Sequence, residues 1–157
     1  MYGTRRCTID AKLRCTLPSD YRKGLDSNRV VLVPFKGECL YGFTPEGFEA
    51  WCLGLFKTKD GGEYDERNPK QRNLMRTLRS SAVEVTLDSA GRLALGKLDA
   101  VDESLKPGST PRRVQLGLVG DVMVIGNGDR FEIWDADRWL AAQEAVEDPF
   151  AYFDTEG

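Results

Sequence analysis

A ten-residue segment occurs twice in this chain, and few folds accommodate that. Thr8-Ile9-Asp10-Ala11-Lys12-Leu13-Arg14-Cys15-Thr16-Leu17 returns 78 positions later as Thr86-Leu87-Asp88-Ser89-Ala90-Gly91-Arg92-Leu93-Ala94-Leu95. Each copy has an apolar residue, then Asp-x-x-x-Arg, then an apolar–small–Leu alternation. Two further matches follow each copy, at offsets of 91 to 92. Val30-Val31-Leu32-Val33 matches Val122-Met123-Val124-Ile125. Phe43-Thr44-Pro45-Glu46 with Phe48 matches Trp134-Asp135-Ala136-Asp137 with Trp139. Three matches in one order make chance a poor explanation, and they point to one supersecondary unit present twice. The jump in offset places about a dozen extra residues in the second copy, near 104–119, around the turn Lys106-Pro107-Gly108-Ser109.

Within each unit the local signals agree. Val83, Val85 and Leu87 alternate with Glu84 and Thr86, which predicts a half-buried strand. Asp-x-x-x-Arg interrupts the alternation and Leu93 and Leu95 resume it, giving strand, tight connection, strand. Gly91 is able to take a positive φ there, and Asp88 to hydrogen-bond the turn backbone. A second strand pair is predicted over 30–35 and 39–43, turning at Lys36-Gly37-Glu38. Its counterpart is 122–125 and 130–134, turning at Gly126-Asn127-Gly128. A helix closes each unit: Thr44 caps the first, with Pro45 and Glu46 in its opening turn, and Asp135 caps the second. Phe48 and Trp51 share one helix face. Residues 57–66 read as a linker, and Asn68-Pro69 opens a helix to about Ser80 with Leu74, Met75 and Leu78 as its apolar stripe.

These signals divide the chain into a first unit, 1–56, a linker and connecting helix, 57–82, and a second unit, 83–147. The acidic tail 148–157 follows Asp148-Pro149 and also holds Phe150, Tyr152 and Phe153. Each unit is too small to bury its apolar face alone, so the two are expected to share one core. The expected fold is α+β, mostly β: a pseudo-twofold β-barrel of two tandem units with flanking helices.

Composition removes most chemistry. The 157 residues are 41% apolar and 30% charged, enough to bury a core, and include no His. That excludes Ser-His-Asp and Cys-His catalysis and His-ligated zinc. The carboxylates form no recurrent acid–base pair, and Gly126-Asn127-Gly128 lacks the following helix that a phosphate-cradling loop needs. No enzyme, cofactor or metal is expected. Cys7, Cys15, Cys39 and Cys52 show no Cys-x-x-Cys spacing and read as small buried hydrophobes of a reduced protein. The longest apolar run, 30–35, is too short to cross a bilayer, and the first residues lack a signal peptide's apolar stretch. The expectation is a soluble cytoplasmic chain with no membrane partner.

The net charge of −3 averages over a polarised chain. Residues 1–40 hold eight Lys/Arg and four Asp/Glu, whereas 132–157 hold eight acids and one base. Arg14 and Arg92 offer planar forks suited to guanine edges or phosphate oxygens, and both are also placed to pair with Asp10 or Asp88 across the turn. Arg5, Arg6 and Lys12 add phosphate-type charge nearby, with plain solvated surface the competing reading for Arg5 and Arg6. Arg67, Lys70, Arg72, Arg76 and Arg79 read as the solvated face of a helix. Phe43, Phe48, Trp51, Trp134 and Trp139 read as core or subunit packing.

The two turns are flanked by Met1-Tyr2-Gly3 and by Phe131-Glu132-Ile133-Trp134-Asp135-Ala136-Asp137-Arg138-Trp139. In this the chain resembles the MraZ family, built from two tandem SpoVT-AbrB-type units, over nearly its whole length to about Val146. The resemblance implies a nucleoid-associated, DNA-binding transcriptional regulator of the division and cell-wall gene cluster, its own promoter included. It also implies a ring-shaped homo-oligomer presenting its turns to direct repeats in double-stranded DNA. By the same resemblance the DNA contacts fall on Lys12, Leu13 and Arg14 and on Gly91 and Arg92, while Asp10 and Asp88 hold the turns in shape. Two departures stand out. The family has Gly where this chain has Leu13, and Leu carries a steric cost at positive φ. The first turn is therefore expected to adopt another conformation or to serve another role. The second turn has Ala90 where a Lys would stand, and the insertion, with Arg112-Arg113, is expected to form an extra hairpin. Leu13 and the acidic tail motivate a rival reading: an adaptor ring with little DNA binding.

Overall fold

A computed structural model describes residues 1–100 and 106–156. In chain order the elements are β1 (Thr4–Thr8), β2 (Arg14–Thr16), α1 (Ser19–Lys23), β3 (Arg29–Phe35), β4 (Cys39–Phe43), α2 (Pro45–Gly54) and α3 (Pro69–Ser80). Then come β5 (Val83–Thr86), β6 (Arg92–Ala94), α4 (Lys97–Ala100), α5 (Arg112–Gln115), β7 (Asp121–Asn127), β8 (Arg130–Asp135), α6 (Ala136–Glu144) and α7 (Ala151–Glu156). Six strands form one antiparallel sheet in the order β1-β7-β8-β4-β3-β5, and β2 and β6 form a separate two-stranded ribbon.

The central strands read as continuous apolar runs because both sheet faces are covered. Val30, Leu32, Leu40, Val122, Val124, Phe131 and Ile133 face the larger core, which the ribbon closes with Cys15, Leu17, Leu93 and Leu95. Tyr21 of α1, Leu98 of α4 and Leu116 beside α5 complete that layer. On the other face Val31, Val33, Cys39, Tyr41 and Phe43 meet Phe48 and Cys52 of α2 and Met75 of α3. The helices start where their caps lie. Thr44 Oγ1 accepts from the Gly47 amide at 2.9 Å, Asn68 Oδ1 from Lys70 at 3.0 Å, and Asp135 from Arg138 at 3.1 Å.

The repeat offsets reappear in the pairing. In the β3–β5 pair Arg29 lies opposite Thr86, and in the β1–β7 pair Asp121 lies opposite Thr8. In the ribbon Arg14 faces Ala94, Cys15 faces Leu93 and Thr16 faces Arg92. Where β4 meets β8, Tyr41 faces Glu132.

Two expectations change. The ladder runs from β1 to β5 without closing into a barrel among the described residues, because the β2–β6 ribbon packs over the sheet instead of joining its edges. The insertion forms no hairpin over its described residues, 106–119; Ser104 and Leu105 lie outside them. Pro111 has no amide for a ladder and instead precedes the helical turn α5. Buried Arg113 holds that turn in place, with a fork onto Asp99 at 2.9–3.2 Å and Nη1 on the Leu118 carbonyl at 2.9 Å. The acidic tail after Asp148-Pro149 contains the short helix α7. Among the described residues no helix is long and apolar enough to cross a membrane.

Candidate nucleic-acid interface

The two Asp-x-x-x-Arg segments fold into the same turn, bond for bond. In the first, the Leu13 amide donates to the Asp10 carbonyl at 3.0 Å, and the Asp10 amide to the Arg14 carbonyl at 3.0 Å. Asp10 Oδ1 accepts from the amides of Lys12 (3.0 Å) and Arg14 (2.8 Å), and Oδ2 from Arg14 Nε at 2.8 Å. In the second, Gly91 donates to the Asp88 carbonyl at 2.9 Å, and Asp88 to the Arg92 carbonyl at 3.2 Å. Asp88 Oδ1 accepts from the amides of Ala90 (2.9 Å) and Arg92 (2.9 Å), and Oδ2 from Arg92 Nε at 2.7 Å. Each aspartate thus organises its own hairpin connection, as Asx side chains do.

The residue before each arginine is left-handed: φ is 61° at Leu13 and 76° at Gly91. A different conformation for the first turn is therefore not what the chain adopts. Leu13 accepts the strain because the Asp10 carboxylate fixes the backbone on both sides of it and its side chain packs against the larger core. Its carbonyl also accepts from the Leu95 amide at 2.9 Å, as Gly91's does from Leu17 at 2.9 Å.

Electrostatically each turn is a closed unit with one edge of its arginine left over among the described residues. The Arg14 amide, above all, holds the Asp10 carboxyl below its ordinary 3.8, outweighing desolvation, with the Arg14 side chain and the Lys12 amide adding to it. The Arg92 amide does the same for Asp88. Both carboxylates are ionised near neutral pH and occupy only Nε of their arginines. The Nη pair is the edge that a bidentate contact with a base or phosphate uses. The turns lie side by side: Arg14 Nη1 is 3.9 Å from Asp88 Oδ2, an ion pair too long for a hydrogen bond. The side chains of Arg14 and Arg92 are 25% and 36% exposed, so both are braced yet reachable.

Each turn has one further cation. In the first it is exposed Lys12. In the second, which has Ala90 there, Arg22 comes from α1 and lies over Gly91. A Cβ on Gly91 would sit 2.6 Å from the Arg22 guanidinium carbon, so the close approach needs a glycine as much as the positive φ does. Arg22 Nε is buried without a hydrogen-bond partner among the described residues. Sequence reading missed Arg22 because its contact crosses from one copy to the other; the only signal was its place in a short basic run after β2.

The remaining basic residues do not all gather here. Arg5 shares the inward face of β1 with Cys7 and pairs with Asp20 of α1 at 3.5 Å. Arg6 points to the opposite face and pairs with Asp121 at 3.7 Å. The basic helix α3 covers that other face of the sheet, where Arg79 holds Glu49 at 2.8 Å and Arg72 donates to the Glu66 carbonyl at 3.0 Å. Among the described residues no His/Cys/Asp/Glu group is placed to hold a metal ion.

An antiparallel sheet carrying a ribbon with two like Asp–Arg turns defines a mostly-β protein with a doubled basic loop. A family model for the MraZ protein, described as antitoxin-like, matches residues 1–54. The chain is 32% identical over 155 residues to the transcriptional regulator MraZ of Corynebacterium jeikeium, covering 99% of this chain and 94% of the relative. It is 32% identical over 151 residues to that of Corynebacterium glutamicum (95% and 90% covered), and 28% identical over 160 residues to that of Photorhabdus laumondii (95% and 93%). The chain belongs to the MraZ family.

Proposed function

We infer that the chain is a transcriptional regulator that binds double-stranded DNA through its paired turns. The observation that carries this reading is the pair itself: Arg14 and Arg92, each clamped at Nε by its own aspartate, stand on one two-stranded ribbon. Such clamping fixes the direction of a guanidinium fork before any contact is made, which is what base recognition requires. Lys12 and Arg22 supply phosphate-type charge beside the forks. Arg5 belongs to the same face, while Arg6 does not, so Arg6 is left out of the reading.

The recurrence of the 78 and 91–92 offsets in the strand registers supports two tandem units related by a pseudo-twofold axis. Exposed Leu53, Leu55 and Leu140 on α2 and α6 and the short loop after α2 support a homo-oligomer, read as a ring on direct repeats. The targets implied are the division and cell-wall genes and the chain's own promoter, with the protein on the nucleoid and without enzymatic activity. The adaptor reading loses the argument from Leu13, which adopts the same turn as Gly91; only the acidic tail still favours it.

A mobility shift with the DNA upstream of its own gene, at two salt concentrations, tests the reading. Binding should weaken steeply with salt, and Arg92→Ala should weaken specific binding by about 1–3 kcal/mol while leaving non-specific binding nearly intact. An equal loss on all sequences would make Arg92 a phosphate contact. No binding at low salt would leave the adaptor.

A further inference from the structure

Two thiols meet at the base of the first turn. Cys7 leaves β1 on its inward side and Cys15 sits in the middle of the ribbon, opposite Leu93. Their Sγ atoms are 3.6 Å apart, and both cysteines are free. A disulfide needs about 2.05 Å, so a closure of roughly 1.5 Å separates the two states. Cys15 is fully buried, whereas Cys7 is half-buried on an edge strand. Cys39 and Cys52 are buried on the far side of the sheet.

We propose that Cys7 and Cys15 form a peroxide-reactive dithiol, with Cys7 as the attacking thiol and Cys15 as the resolving one. The Cys15 thiol donates to Cys7 Sγ and brings the Cys7 thiol down to about 6, against the opposing pull of burial and of Asp10. That hydrogen bond, with burial, pushes Cys15 up. Cys7, the less buried sulfur and the acceptor of the pair, is thus the one disposed to ionise, and Cys15 brings the proton. In the first step the Cys7 sulfur attacks a peroxide oxygen; the S–O bond forms, the O–O bond breaks, and the leaving hydroxide departs as water with a proton from the solvent. In the second, Cys15 sulfur attacks the Cys7 sulfenic acid; the S–S bond forms, the S–O bond breaks, and the hydroxide leaves as water with the Cys15 proton. Two thiols and one molecule of hydrogen peroxide yield one disulfide and two waters. The closed loop, 7–15, contains Asp10, Lys12 and Arg14, so the modification acts on the first turn and leaves the second as it is.

The test is hydrogen peroxide treatment of the full chain, followed by unfolding and labelling with N-ethylmaleimide. The oxidised protein should take up two labels in place of four, and peptide mapping should join Cys7 to Cys15. The Cys7→Ser variant should take up three labels after the same treatment. The Cys15→Ala variant should stop at a Cys7 sulfenic acid that dimedone traps. Before oxidation, Cys7 should alkylate at pH 7 about tenfold faster than Cys39 or Cys52 in the folded protein. Four labels after oxidation, or a disulfide that involves Cys39, Cys52 or a second chain, overturns the proposal. The wild-type map decides it even if the Cys15 substitution unfolds the protein, and no step depends on DNA.

Discussion

The left-handed Leu13 makes a prediction whose sign, and not only its size, is at stake. A non-glycine residue in that region costs about 1–2 kcal/mol, because Cβ crowds the following carbonyl. Leu13→Ala and Leu13→Gly delete the same atoms beyond Cβ and hence the same packing, and differ only in Cβ itself. Ala keeps the strain. Gly removes it but leaves a more flexible unfolded chain, which costs roughly 0.5–1 kcal/mol. The Gly variant should therefore be the more stable of the two by about 0.5–1 kcal/mol. At an extended or helical position the order is the reverse. Relative to wild type, the lost side chain is a part of the roughly 1.5–3 kcal/mol that a fully buried Leu contributes. The Ala variant should fall about 1–2 kcal/mol below wild type, and the Gly variant should stay within about 1 kcal/mol of it. Urea unfolding of the three proteins reads this directly, provided their slopes agree. In a melting curve the Ala–Gly gap is worth about 1–4 °C for a chain of this size. An Ala variant as stable as the Gly variant, or more so, would refute the left-handed turn and the likeness of the two turns with it.

The clamp in the insertion gives a larger effect: Arg113 is buried, and Arg113→Ala leaves the Asp99 carboxylate without its fork, at a cost of about 3 kcal/mol. Chemical denaturation checks it, and a change under about 1 kcal/mol would mean that α5 is not held by this pair. The turns also carry a pH signature. Asp10 and Asp88 titrate below 3.8 in the folded state, so their contribution is complete above the unfolded value and lost as pH falls through the folded one. The amide shifts of Lys12, Arg14, Ala90 and Arg92 should move together in an NMR titration, with an inflection below 3.8. An inflection at or above the ordinary aspartate value would show that the carboxylates do not clamp the turns.

What could be read in the residues was whatever is local or periodic. The alternation of Val83, Val85 and Leu87 placed β5, and Thr44, Asn68 and Asp135 marked three helix starts because capping needs only the residue and its next turn. The repeat placed Asp10 and Asp88 in equivalent turns. The conformation of Leu13 was not legible, since intrinsic preference argues against it and a set of bonds to a neighbouring carboxylate overrides that preference. Arg22 over Gly91 and Cys15 against Cys7 were hidden for another reason. Both contacts depend on how the ribbon packs on the sheet, and spacing along the chain carries no trace of that. The helical turn of the insertion was not legible because Pro107-Gly108 signals a turn but does not specify whether a strand or a helix comes after it.

Chains with two similar halves face a hazard during folding: a hairpin of one half can seek the partner strand of the other. Glu132 works against this. It is buried at the seam where β4 meets β8, opposite Tyr41, and it accepts from Asn127 Nδ2 at 2.7 Å, Trp134 Nε1 at 2.9 Å and Arg130 Nε at 3.1 Å. Tyr41, its counterpart in the other half, offers no carboxylate. A slip of one residue at the seam would turn Glu132 toward Leu40, Phe131 and Ile133 and strip it of these donors. The buried polar group thus marks which hairpin belongs on which side, and makes the mispaired chain the costly one.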